Sequence, residues 1–386
     1  MTSSVVKALL PTLRIGLLSA AFPPDFDGIG DYTYRLASAL AREGVEASVW
    51  TSIGPERLAC DGVEINPFFD PGRPKTIEQL PNLLGHGRLI DWVVVQYNPF
   101  GFGRWGYCPW LITTLGRLKK SGRCRVAVMF HETQVPKRPF KLWVMRQWQN
   151  WQLRRLARLA DVIFVSTTRW ESEIKEVFPR AVCHHLPVGS NLPRSALSLQ
   201  EARRRLELPL DTLVLGMFGS SHPSRMMDWM SSAVAGAATV QQQLVVLYVG
   251  KDGKAFQEVC AGFSFLDQGA LAADAAADRM RAMDLLISPF IDGISTRRGS
   301  AIAGFQHGVA VASTLSPYTD LLFREAAPSS LILAPRDNRA NFIEKINQWI
   351  LSSWKRDACG REEMETFYER HFDWLVIARK ILDRLR

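Results

Sequence analysis

The residues of this 386-residue chain best suited to chemistry are glycine-bearing loops that open helices and arginines set beside such loops. Residues 25–33 read DFDGIGDYT and join an apolar run to a segment of helical spacing. Gly28 and Gly30 let backbone approach a ligand there, and the helix start offers unpaired N–H groups to an anion. A tight turn in which the glycines serve only geometry is the simpler alternative. As a dinucleotide fingerprint the loop falls short: Thr33 stands where a third glycine belongs, and no acidic residue ends the next strand at 45–51. Asp25 and Asp27, two residues apart, invite a divalent cation, but no third acidic ligand can be placed beside them, so no metal is expected. His131 ends an apolar run before Glu132, which puts an imidazole at the carboxyl edge of a parallel sheet, where open α/β folds hold ligands. It can donate to a phosphate or sugar oxygen, or simply be satisfied by backbone.

Two further features seek anions. The first is Gly219-Ser220-Ser221-His222-Pro223-Ser224-Arg225, a glycine turn after a strand with an arginine expected to open the next helix. The second lies in SPFIDGISTRRGSAIAGFQHGVAVAST: a strand ends at Pro289, Asp292 and a Gly293 turn follow, and a helix is expected near Ser295 with Arg297 and Arg298 in its first turn. Cations there oppose the helix dipole, which an anion bound between them would explain. A surface arginine pair is the plain alternative.

Residues 137–160 interleave Lys137, Arg138, Lys141 and further arginines with Trp143, Trp148 and Trp151. Aromatics at headgroup depth and cations over anionic lipid look like this. So does a core-facing helix with a basic outer face. Aromatics among bases also suit single-stranded nucleic acid, but no RNA-binding signature or second aromatic platform accompanies them, and nucleic acid is not an expected partner.

The elements that must position these residues follow from apolar runs at 13–19, 45–51, 91–97, 125–131 and 161–167, with helical stretches between them. Such alternation predicts a parallel sheet covered on both faces. A Pro-, Ser-, Gly- and Asn-rich stretch over 187–200 reads as a linker, after which runs such as TLVLGMFG, QLVVLYVG and DLLISPF restart the pattern in a second α/β domain. The helical tail over 362–386 could pack on either. Length and 47% hydrophobic content suit two globular domains. No apolar run approaches the roughly 18 residues of a membrane span, and the first residues lack a secretory cleavage pattern, so a cytoplasmic, soluble or peripheral protein is expected. Six scattered cysteines read as buried reduced thiols. A net charge of +9 favours an anionic partner of some kind.

Taken in order along the chain, FPPDFDGIGDYTYRLASALAREG, VVVQYNPFGFG, VAVMFHE, LPVGSN, VLGMFGSSHPSR, GALAADAAADRMRAMDLLISPF and DGIS…GVAVAST resemble the GT-B retaining glycosyltransferases of the family 4 type. The likeness runs through nearly the whole chain, and order and spacing carry it. It implies two Rossmann-like domains facing each other across a cleft. Residues 1–188 would be the acceptor side, with a helix over 366–386 crossing back to it, and 189–365 would be the donor side. It implies transfer of a sugar, in hexosyltransferase fashion, from a nucleotide-sugar donor to an acceptor hydroxyl without cofactor or metal. A lipid-linked or polysaccharide precursor is the expected acceptor, with a peripheral position on the inner membrane face.

By the same resemblance, Gly28 and Gly30 would approach the donor phosphate or the acceptor, and His131 would lie near the transferred sugar. Arg225 matches the lysine that neutralises the diphosphate. Asp292 matches the first glutamate of the E-x7-E motif, and backbone N–H groups of Gly293, Ile294, Ser295 and Thr296 would cradle donor sugar and phosphate. Asp27 and His131 are the side chains expected nearest the acceptor. Two positions depart from the family pattern: Ser220 replaces an arginine of the phosphate turn, and Ser300 replaces the second glutamate, which usually holds the ribose. Arg297 or Arg298 could restore positive charge. The departures leave two other readings open, a non-catalytic binding or scaffold subunit and a nucleotide-sugar epimerase.

Overall fold

The computed structural model describes residues 12–25, 27–85, 90–132, 140–356 and 358–386. The chain divides into two compact units, Met1–Leu186 with Ile377–Arg386, and Pro187–Val376.

The first unit is built on a seven-stranded sheet. Its strands are β1 (Arg14–Ser19), β2 (Glu46–Ser52), β3 (Val63–Phe69), β4 (Trp92–Tyr97), β5 (Arg125–Phe130), β6 (Val162–Val165) and β7 (Cys183–His185). They lie in the order β3-β2-β1-β4-β5-β6-β7, every pairing parallel. Each parallel step requires a crossover, which helices supply at most steps, while residues 53–62 cross from β2 to β3 as a loop. The central strands are continuous apolar runs because both faces are covered: all six residues of β4 are buried. The helix Gly28–Arg42 starts where the Asp27 carboxylate accepts the N–H groups of Ile29 and Gly30, at 2.9 and 2.8 Å. Its Leu36, Ala37 and Leu40 turn inward. Gly30 presses on the chain leaving β1, where a Cβ would stand 3.2 Å from backbone atoms of Ala21 and Phe22.

The second unit holds a six-stranded parallel sheet of β8 (Leu213–Phe218), β9 (Leu244–Val249), β10 (Phe265–Asp267), β11 (Leu285–Ile287), β12 (Ala310–Leu315) and β13 (Leu331–Pro335). Their order is β10-β9-β8-β11-β12-β13. In both sheets the order reverses beside the first strand, between β1 and β4 and between β8 and β11. Such reversals open a crevice at the carboxyl ends of the strands.

The helical tail is two helices, Ala358–His371 and Trp374–Leu385. Phe367 and Phe372 meet Phe305 of the second unit, with ring centroids 5.5 and 5.9 Å apart. This aromatic cluster keeps residues 366–376 with the second unit, so only Ile377–Arg386, not the whole of 366–386, joins the first. There the Trp92 indole donates to the Leu385 carbonyl at 2.7 Å, and Arg379 pairs with Glu43 at 2.9 Å. All six cysteines are free, but Cys359 is exposed and Cys124 only partly covered, against the expectation that all are buried.

Candidate functional site

The second unit gathers cations where its chain leaves β8 and β11. The turn after β8 does not pass directly into a helix: Arg225 lies in the turn, and the helix begins at Met227. The turn is instead laced to the loop after β11. Arg225 bridges Phe290, the Met226 N–H donates to the Pro289 carbonyl at 3.2 Å, and the Ile291 N–H donates to the Ser224 carbonyl at 2.9 Å. This lacing turns the Arg225 side chain inward, to 9% exposure. Its Nη2 donates to the Phe218 carbonyl at 2.5 Å, and its guanidinium stands 5.4 Å from the Phe290 ring centroid. Burial pulls its pKa down to about 10, which leaves it a cation at neutral pH. Among the described residues no carboxylate forms an ion pair with it.

Arg298 stacks on the same ring at 4.1 Å. Its Nη1 donates to Ser224 Oγ at 3.0 Å, and its Nη2 is bonded to the Asp292 carboxylate. Burial, then the neighbouring charge of Arg297, pulls it too down to about 10, against the opposing pull of Asp292. Arg297 reaches the other Asp292 oxygen at 3.6 Å. Arg225 and Arg298 thus share the Phe290 ring, Arg297 and Arg298 share the Asp292 carboxylate, and Arg225 and Arg298 are nearly withdrawn from water. A cluster carrying net positive charge at such low exposure is complementary to an anion.

The segment after Asp292 differs from its expected form. The helix begins at Gly299, with Arg298 as its cap, so Arg297 and Arg298 precede the first turn rather than occupy it; Ser300 falls inside it. Gly293 holds φ +77°, and a Cβ there would stand 2.4 Å from Thr319 Oγ1 and 2.8 Å from the Ser316 nitrogen. The expected cradle of free N–H groups is largely engaged within the protein. Gly293 donates to Phe290 at 3.0 Å, Ile294 to Thr314 at 2.8 Å, and Thr296 to the Asp320 carboxylate at 2.7 Å, joined by Thr296 Oγ1 at 3.0 Å. Ser295 keeps a buried hydroxyl with no hydrogen-bond partner among the described residues. At the turn after β8, Gly219 and Ser220 are half-buried, while Ser221 gives its N–H and hydroxyl to Asp252 at 2.7 and 2.9 Å.

In the first unit the paired aspartates do not converge. Asp25 is bound to Arg57 at 2.6 Å, and Asp27 caps the helix. Among the described residues no group of three His, Cys, Asp or Glu stands ready for a metal ion. Gly28 is exposed beside the cap. One turn on, burial and then the Asp27 charge raise Asp31 to about 6. His131 follows β5 directly, its N–H given to the Tyr97 carbonyl at 3.0 Å. Its ring meets Tyr32 edge-on at 4.6 Å, and burial pushes its pKa down to about 3. The neutral ring donates from Nε2 to Gln96 Oε1 at 2.8 Å, which leaves Nδ1 as an acceptor. The ring's partner is therefore a side chain, not the backbone.

Lys137 and Arg138 lie outside the described residues, as does the side chain of Lys141. Trp143 and Trp151 are exposed; Trp148 instead turns against the 98–110 loop and donates to the Trp105 carbonyl at 3.1 Å.

The model of Glycosyltransferase Family 4 matches residues 26–192. Over nearly the whole chain, the fold is shared with sucrose-phosphate synthase from Thermosynechococcus elongatus, at TM-score 0.72 and 16% identity, covering 96% of this chain and 98% of that one. It is shared with WaaG, a glycosyltransferase involved in lipopolysaccharide biosynthesis, at 0.68 and 13%, covering 96% and 99%. Anabaena HepE, solved with UDP and glucose, follows at 0.66 and 13%, covering 97% and 99%. No curated protein sequence matches the chain. The chain has the GT-B fold, and its amino-terminal residues match the Glycosyltransferase Family 4 model.

Phe290 and Asp320 in the second unit and Gln96 in the first are residues that the sequence did not single out. Phe290 sits two positions before Asp292, yet its service to two guanidinium groups depends on the lacing of separate loops. Asp320 carries no motif at all.

Proposed function

We propose that this protein is a retaining glycosyltransferase that moves a sugar from a nucleotide-sugar donor to a hydroxyl of a lipid-linked or polysaccharide-precursor acceptor. The carrying observation is the pair of nearly buried guanidinium groups, Arg225 and Arg298, on one phenylalanine, with Asp292 paired to Arg297 and Arg298 and no carboxylate paired to Arg225 among the described residues. A nucleoside diphosphate supplies the missing negative charge. Binding of UDP by HepE makes UDP and UDP-glucose the first ligands to try.

In this reading the anomeric carbon–diphosphate bond breaks, and negative charge gathers on the leaving oxygen beside preorganised cations, a role that needs no metal. The acceptor oxygen bonds the anomeric carbon from the face just vacated, and its proton passes to the departing phosphate. Products are the glycosylated acceptor and the nucleoside diphosphate. His131, neutral, offers an acceptor nitrogen to a substrate hydroxyl, and Asp292 is the carboxylate nearest the donor cations.

The test is NMR of the anomeric proton in the first product formed by the purified protein, with EDTA present. Retained configuration and undiminished turnover support the reading, whereas inversion or abolition by EDTA overturns the mechanism. The scaffold reading rests on Ser220, Ser300 and the attachment of both Arg297 and Arg298 to Asp292. Any transfer by the pure chain removes it. Donor conversion with no acceptor would instead mark an epimerase.

A further inference from the structure

The chain's basicity is concentrated in one segment. Residues 98–160 contain thirteen of its 47 lysines and arginines but only one, Glu132, of its 38 acidic residues, an excess larger than the +9 of the whole protein. The same segment holds five of the twelve tryptophans.

Two of its elements are fastened side by side. Gln152, on the helix Phe140–Leu159, accepts the Cys108 N–H at 2.5 Å and donates to the Gly106 carbonyl at 2.7 Å, while Trp148 donates to the Trp105 carbonyl. The helix buries Met145, Gln149, Gln152 and Leu156 along one stripe. The opposite stripe, Trp143, Gln147, Trp151, Arg154 and Arg158, is exposed throughout. Beside it the loop exposes Phe100, Trp105 and Tyr107, at 45, 48 and 51%. Aromatic rings of this size left in water among cations, with no acidic side chain on either element, cost free energy unless covered. No described helix is long and apolar enough to cross a membrane.

We infer that the helix Phe140–Leu159 and the 98–110 loop form a surface that docks the amino-terminal unit on an anionic lipid bilayer. Tryptophans suit the depth of the headgroups, arginines the negative surface potential, and a polar Gln147 between them the wet interface. The inference deepens the proposed function and rests on it only for the lipid-borne acceptor that docking would bring near; the surface itself can be tested apart from transfer.

The experiment is flotation of the full chain with vesicles of phosphatidylcholine alone or with about a third phosphatidylglycerol, at low and high salt. Binding is expected to the anionic vesicles and to weaken with salt. Arg154→Ala with Arg158→Ala should lower partitioning about 25-fold, roughly fivefold for each cation. Trp143→Ala with Trp151→Ala should lower it about tenfold even where salt has already screened the cations. These side chains point outward, so the wild-type melting temperature should persist in both variants. No binding to either vesicle, binding untouched by both variants, or equal tryptophan-insensitive binding to single-stranded DNA would overturn the surface. Sugar transfer in solution by a chain that ignores vesicles would leave the activity standing and remove the surface alone.

Discussion

His131 carries two properties that its position at a strand end does not reveal by itself: it is neutral, and it is oriented by Gln96. The folded ring takes a proton only near pH 3, whereas the unfolded chain takes one near 6.5. The unfolded state therefore binds more protons between these values, so the ring's contribution is whole above pH 6.5 and is lost as pH falls towards 3. Urea unfolding at pH 6.5 and pH 5 should show wild type losing on the order of 1–2 kcal/mol more than His131→Asn. Equal losses would mean that the ring titrates normally. Two residue-scale expectations change with the structure. Arg297 and Arg298 do not stand free as substitutes for the missing arginine at Ser220, because both hold Asp292. Asp27 is half-committed as a helix cap, so any catalytic part must use what the cap leaves over.

At the scale of elements, that double duty can be separated. Asp27→Ala should cost about 1 kcal/mol of stability through loss of the cap, and Asp27→Asn, an equally good cap, almost none. A fall in turnover for Asp27→Asn without a fall in melting temperature would assign the carboxylate to chemistry, and unchanged turnover would leave it structural. Gly293→Ala should be costlier, about 1–3 kcal/mol, since it strains a positive φ and drives a methyl into Thr319. Differential scanning calorimetry reads that cost directly, and a wild-type melting profile would contradict the turn geometry. The sheet centres were legible because a strand buried on both faces must be continuously apolar, as in Trp92–Tyr97 and Leu244–Val249. The edge strands were not. Val63–Phe69 mixes exposed and covered residues around Pro67, and Cys183–His185 and Phe265–Asp267 are too short to show a period. The helix start near Ser295 was misplaced because the segment turns at Gly293, follows Thr314 and meets Asp320 before it can coil.

For the whole molecule, order and spacing of motifs were enough to indicate the GT-B fold and its two-sheet plan, since those depend on strand runs and turns spread along the chain. The cation cluster was less legible. Arg225 and Asp292 were marked by position, but their shared platform, Phe290, appears only when the loops after β8 and β11 are laced together. The concentration of charge over 98–160 lies in the first unit, apart from the nearly buried Arg225 and Arg298 of the second. The central claim is that those inner cations bind a nucleoside diphosphate. A melting screen of the full chain against UDP, GDP, ADP and TDP and their sugar conjugates tests it most directly, because a ligand of the folded state raises the melting temperature. A selective upward shift is predicted for one nucleotide, with affinity falling about tenfold or more in Arg225→Ala, as loss of a charge-assisted contact requires. No shift with any nucleotide, or a shift of equal size in Arg225→Ala, would contradict it.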